Sequence, residues 1–180
     1  MIKADAEIVH CLLSHSSRNS RIQDDALLRL AAYSGKADLV SYFVTTGGNV
    51  HACHDQALRY ACKGGFLETV KVLLEAGSDP NACNGEPMIR ACRGGAYNVM
   101  HTLLYTLVAD SCGHILGYQD IVQTLLNAGA DPNSGLLAAI RGRHSEIVRL
   151  LRSSGATLTQ EHDAAIRALS NPEKAQMGFL

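Results

Sequence analysis

Two groups of side chains in this sequence have the types that chemistry uses. The first is Asp110, Cys112 and His114, three residues within five positions. A cysteine thiolate with a histidine base and a carboxylate behind it would attack a carbonyl carbon. Such a site also needs an oxyanion hole and a supporting scaffold. No glycine-rich scaffold surrounds these three, and reactive-cysteine sites rarely take all their members from one short stretch. They read as polar loop residues. The second group is His51, Cys53, His54 and Cys83, all zinc-ligand types. It lacks paired Cys-x-x-Cys spacing, and Asn81 and Asn84 stand where the histidines stood thirty residues earlier. The triplets at Lys63 and Arg93, each followed by two glycines, are not phosphate loops, because no Lys-Ser/Thr pair follows them. The expectation is therefore no catalytic residue, no metal and no cofactor.

The elements that would have to position such a site have another purpose, because the chain repeats itself. The segment from Leu27, LLRLAAYSGKADLVSYFVTTGGNVHAC, aligns with ALRYACKGGFLETVKVLLEAGSDPNAC from Ala57 at a shift of thirty. A third copy opens at Pro87 with PMIRACRGG and ends as GYQDIVQTLLNAGADPN from Gly117, and a fourth runs from Gly135. A period of this length has to be read before any local feature. Within one copy, Leu58, Ala61 and Cys62 fall on one face of a first helix, and Val70, Leu73 and Leu74 on one face of a second. Gly64-Gly65 reverses the chain between them. Gly77 suits the left-handed end of the second helix, and Pro80 prevents its continuation. One such pair cannot bury both of its apolar faces alone, whereas a stack of pairs can.

Composition agrees with a stack. The 180 residues are 47% hydrophobic but only 5% aromatic, without Trp, which implies a core of Leu, Val, Ile and Ala. A net charge of -1 gives no global reason to expect nucleic acid or an anionic membrane. No apolar run reaches the length of a membrane span, and acids sit where an export signal needs apolar residues. A soluble protein of the cell interior, cytoplasmic or nuclear, is expected. Cys53 and Cys83, like Cys62 and Cys92, are thirty residues apart. If copies stack at about 8–10 Å, equivalent thiols lie beyond disulfide reach, so free cysteines are predicted.

The repeat resembles the ankyrin repeat. ALRYA stands where that family has Thr-Pro-Leu-His-x-Ala, GGFLETVKVLL resembles its Gly-His-x-x-Ile-Val-x-x-Leu-Leu, and AGSDPNA and AGADPN resemble its closing motif. The resemblance runs over roughly residues 5–169. It implies an all-α fold, an α-solenoid of stacked ankyrin-type helix-turn-helix repeats. The fingers should be short, since the period is thirty rather than 33 and the loss falls between Ala82 and Glu86. One domain over 1–180 is expected: a half repeat at 1–22, repeats at 23–52, 53–82 and 83–133, a repeat at 134–159, a capping helix at 160–170 and a tail at 171–180. The third repeat carries an insert at 95–116, predicted as a helix near 97–109 and a returning loop. His144 follows Gly142-Arg143 where the family has Gly-His, which implies a hydrogen bond between repeats.

What remains for function is surface. In the ankyrin-like register the variable position of the first helix holds Leu30, Tyr60, Arg90 and Ala138, and three residues later stand Tyr33, Lys63, Arg93 and Arg141. By resemblance this face lines a concave groove. Tyr beside Arg is a pairing enriched at interfaces and hot spots. The expected function is a non-enzymatic module that binds a protein partner with an acidic segment through Tyr33, Tyr60, Lys63, Arg90, Arg93 and Arg141. It would act as a monomer, with no nucleic acid and no membrane among its partners. The alternatives are a cysteine-dependent enzyme or effector using the 95–116 insert, and a fragment of a larger ankyrin-repeat protein whose activity lies in another domain.

Overall fold

A computed structural model describes residues 20–97 and 113–169, together with 174 and 179. The half repeat at 1–22 and the centre of the insert lie almost wholly outside the described residues. The chain divides into two compact units, Met1–Asp79 and Pro80–Leu180.

The first unit holds α1 (Ser20–Tyr33), α2 (Ala37–Thr45), α3 (Ala52–Gly64) and α4 (Leu67–Glu75). The second holds α5 (Ala82–Tyr97), α6 (Gly113–Asn127), α7 (Pro132–Arg141), α8 (Ser145–Ser153) and α9 (Gln160–Arg167). Within the first unit α1 packs on α3 and α2 on α4; within the second, α5 packs on α7 and α6 on α8. Helices of the same kind therefore lie side by side, which is the stacking of an all-α solenoid.

The core follows the predicted register. Leu28, Ala31 and Ala32 are buried on α1, as are Leu58, Ala61 and Cys62 on α3. Met88, Ala91 and Cys92 take these places on α5, and Leu136, Ala139 and Ile140 on α7. The alanine in the middle of each trio lets neighbouring first helices approach closely. Second helices bury the pairs Val40 and Phe43, Val70 and Leu73, Val122 and Leu125, and Val148 and Leu151. Leu74, expected on the buried face, is only half-buried, because its place on α4 turns it toward the edge of the two-layer stack.

Each second helix stops in the same way. Gly47, Gly77, Gly129 and Gly155 have φ of 98°, 93°, 87° and 98°. The next amide, of Gly48, Ser78, Ala130 or Ala156, then donates to the carbonyl five residues back at 2.8–3.0 Å. This satisfies a carbonyl that the helix end would leave bare. The following residue is held by the start of its own repeat. The amides of Asn49, Asp79 and Thr157 donate to Asp25 Oδ1, Asp55 Oδ1 and Asn133 Oδ1 at 2.8, 3.0 and 2.8 Å, each 24 residues away. In the third repeat Gly85 has no side chain for this. Asn81, four residues earlier, accepts from the Asp131 amide at 2.8 Å, across 50 residues. It also donates to the Gly129 carbonyl at 2.9 Å. The repeat thus closes across its insert.

The shortened fingers are turns. Cys53, His54 and Asp55, and likewise Cys83, Asn84 and Gly85, occupy the left-handed region in succession, with φ between 52° and 76°. Three left-handed residues carry the chain into the next helix where a hairpin would need more length. The fourth repeat omits even this: Asp131 caps α7 directly, accepting from the Asn133 amide at 2.9 Å, with Pro132 at its first position.

The insert is partly helix. α5 continues past the position equivalent to Gly64 as far as Tyr97, and α6 starts at Gly113, six residues before the place where α4 starts in its own repeat. The predicted helix near 97–109 lies outside the described residues beyond Tyr97. α9 lies within the span 160–170 where a capping helix is expected. His162 is buried and closes the capping box, its Nδ1 accepting from the Thr159 amide at 2.8 Å.

Candidate binding surface

The six residues singled out in the sequence do not behave alike. In the first unit Tyr33 is 60% exposed and Leu30, one turn before it, 59%. Tyr33 meets Tyr60 edge to face, with ring centroids 5.5 Å apart and planes at 80°. The two tyrosines come from different register positions of successive first helices, which is why the sequence register did not pair them. Tyr60 is half-buried, and its hydroxyl accepts from Gln56 Nε2 at 2.9 Å. Lys63 is exposed one turn further along α3. An aromatic ridge with an adjoining cation results.

In the second unit Arg90 is held by Glu86 on its own helix. Its Nε and Nη2 both donate to Glu86 Oε1, at 2.8 and 2.6 Å. A glutamate four residues N-terminal to an arginine on a helix is the favourable order for such a pair, and that spacing was the signal available in the sequence. Arg90 therefore offers a partner much less charge than its register position suggests.

Arg93 and Arg141 differ from it. Both are exposed, and neither has an ion-pair partner among the described residues. Both line one cleft of about 310 Å³ between α5 and α7. Ile89, Leu137 and Ala138 supply its apolar wall, and Ser134 its hydroxyl. Ala138 occupies the register position of Tyr60 and Arg90, and so small a side chain leaves this space open. Arg141 also borders a second cleft of about 370 Å³, between α7 and α9, with Arg143, Ile140, Ala165 and Leu169. The sequence reading used Arg143 only to place His144, and this second cleft did not figure in it.

The chemically suggestive residues fall elsewhere. His51 Nδ1 lies 3.0 Å from Asp55 Oδ1, the same atom that receives the Asp79 amide. The Arg29 guanidinium donates to Cys53 Sγ. No group of three or more His, Cys, Asp or Glu side chains suited to a metal is found among the described residues. Asp110 and Cys112, and the side chain of His114, lie outside them. Of the six cysteines, Cys53, Cys62, Cys83 and Cys92 are not in disulfides, as the spacing predicts. Burial pushes the Cys92 thiol up to about 12.

The hydrogen bond expected from His144 to another repeat is not made. Its Nε2 is buried without a partner among the described residues, and desolvation lowers its pKa. The ring lies so close to Gly142 that an added Cβ would meet its Cδ2 at 2.6 Å. The ring is thus tucked back over its own turn.

No helix among the described residues is long and apolar enough to cross a membrane. A family model for three copies of ankyrin repeats matches residues 1–84 and again 28–111, and a single-repeat model of the same family matches 101–135. The matches overlap at 101–111, inside the insert. No curated protein matches the chain.

Proposed function

Since the chain belongs to the ankyrin-repeat family, whose repeats generally serve as protein–protein interaction modules, we propose that it is a non-enzymatic binding module for a protein partner carrying an acidic segment. The partner docks on the exposed face of the first helices. One observation carries this reading: Arg93 and Arg141 share a cleft with no acid of the described chain to neutralise them. The overall charge is -1, so this local excess of cation favours a small acidic feature over a polyanion. Tyr33, Tyr60 and Leu30 supply anchoring surface in the first unit, and Lys63 adds charge beside them. The module works as a monomer, which light scattering tests directly.

Affinity capture with the intact chain, followed by binding measurements on the captured protein, tests the face itself. Arg93→Glu and Arg141→Glu should slow association and flatten its salt dependence. Tyr60→Ala should mainly speed dissociation, with a loss on the order of 2 kcal/mol if the ring is a hot spot. Arg149→Glu is the control: Arg149 lies on α8, paired with Glu146 at 3.2 Å. A partner that responds to Arg149 and ignores both the arginines and the tyrosines binds another face, and the proposal fails.

A further inference from the structure

We infer that the α5–α7 cleft seats a carboxylate side chain and an adjoining aliphatic side chain of an extended acidic peptide, which continues past Arg141 toward the α7–α9 cleft. This deepens the proposed binding function and rests on it. Three features of the second unit converge. First, Glu86 occupies Arg90, so the guanidinium groups left to receive an anion are those of Arg93 and Arg141, and they border one space. A guanidinium offers two parallel donors to a carboxylate, so two of them can satisfy both oxygens. Second, the rest of that space is largely apolar, with Ile89, Leu137 and Ala138 beside the cations. A bare inorganic anion would leave this wall wet, whereas an aliphatic neighbour of the acid covers it. Third, at about 310 Å³ the cleft lies at the lower limit of ligand pockets, about 300–1,000 Å³. It has room for about one or two side chains.

The second cleft decides between an internal segment and a chain end. Arg141 borders both clefts, and the second also sets this cation beside an apolar wall, of Ile140, Ala165 and Leu169. A peptide that ended at the first cleft would leave the second unused. One that alternates acidic and aliphatic residues reaches both, placing an acid on each side of Arg141.

The test is fluorescence anisotropy at low salt with the full chain and labelled, end-blocked peptides. The probe is Glu-Leu-Glu-Leu-Glu; the comparisons are Gln-Leu-Gln-Leu-Gln and Glu-Ser-Glu-Ser-Glu. The acidic, leucine-containing peptide should bind at least about tenfold tighter than its glutamine counterpart, the scale of charge-assisted hydrogen bonds. The serine peptide should be weaker than the leucine one. Arg93→Gln and Arg141→Gln should each lose about tenfold, while Arg149→Gln changes nothing. All three side chains are exposed, so unchanged melting temperatures serve as the folding control. Equal binding of the glutamate and glutamine peptides overturns the inference. So does indifference to Arg93→Gln and Arg141→Gln, or equal displacement by a single-stranded oligonucleotide, which would show charge attraction without a shaped site. A captured partner that is weakened by Tyr33→Ala or Tyr60→Ala but unaffected by both arginine variants removes the cleft and leaves the broader binding function standing.

Discussion

His144 shows how one residue can carry a cost that its neighbours define. Its Nε2 is buried and unpartnered among the described residues, and desolvation holds its pKa below the ordinary value of 6.5. The unfolded chain therefore takes up this proton first as pH falls. Stability from this residue is present above the ordinary value and is lost as pH drops through the window down to the folded pKa. Melting curves from pH 7.5 down to 5 should show the native protein losing more stability than His144→Gln, which has no proton to take up. Parallel curves would mean that the ring is solvated. The cysteines give a second residue-scale expectation. Cys53 and Cys83 are exposed, whereas Cys62 and Cys92 are buried, and a thiol with a pKa of about 12 supplies almost no thiolate. Mass-mapped alkylation of the native protein at pH 8 should label Cys53 and Cys83 first and reach Cys62 and Cys92 only on unfolding.

At the scale of elements, the joints between helices carry the strain. Gly77 and Gly85 both have positive φ, but their surroundings differ. A Cβ at Gly77 would meet nothing within 4 Å, while at Gly85 it would strike Ser134 Cβ at 2.4 Å and Oγ at 2.5 Å. Gly77→Ala should cost only the left-handed conformation, about 1–2 kcal/mol. Gly85→Ala adds an overpacking cost of about 1–3 kcal/mol, since α7 has to move away. Chemical denaturation of both variants checks the order; equal losses would mean that the α5–α7 approach is looser than described. Little of this was legible in the sequence. The helices themselves were, because Leu58, Ala61 and Cys62 recur with equivalents in every copy. His54, Asp55, Asn84 and Gly85 are of the types that tolerate this conformation, but such residues visit it singly, so runs of three in succession were hidden.

At the scale of the molecule, the two compact units each hold a core of first-helix trios and second-helix pairs. Leu73 is fully buried in the first unit, and Leu73→Ala should cost about 2–5 kcal/mol. Stacked repeats draw their stability from nearest neighbours, so hydrogen exchange in this variant should rise first across residues 37–79. A uniform rise over the whole chain would mean that the units unfold as one. The binding residues are a whole-molecule matter too. Arg93 and Arg141 come from helices on either side of the insert, and they line one cleft only because α5 and α7 pack side by side.

Two helices per repeat, their buried faces, the glycine stops and the free thiols follow from the order of residues alone, because each depends on interactions within a few turns or on a pattern repeated in every copy. The placement of charge did not. Glu86, four residues before Arg90, marks that arginine for a pair on its own helix, but no local spacing shows that Arg93 faces an open cleft. Whether an arginine is available depends on which atoms lie within 3 Å of its guanidinium, and for Arg93 and Arg141 the packing of two helices decides what surrounds them. The cleft has the same origin: it exists because Ala138 is small where its neighbours in the stack are large. Small size marks an opening only once α7 has been set against α5.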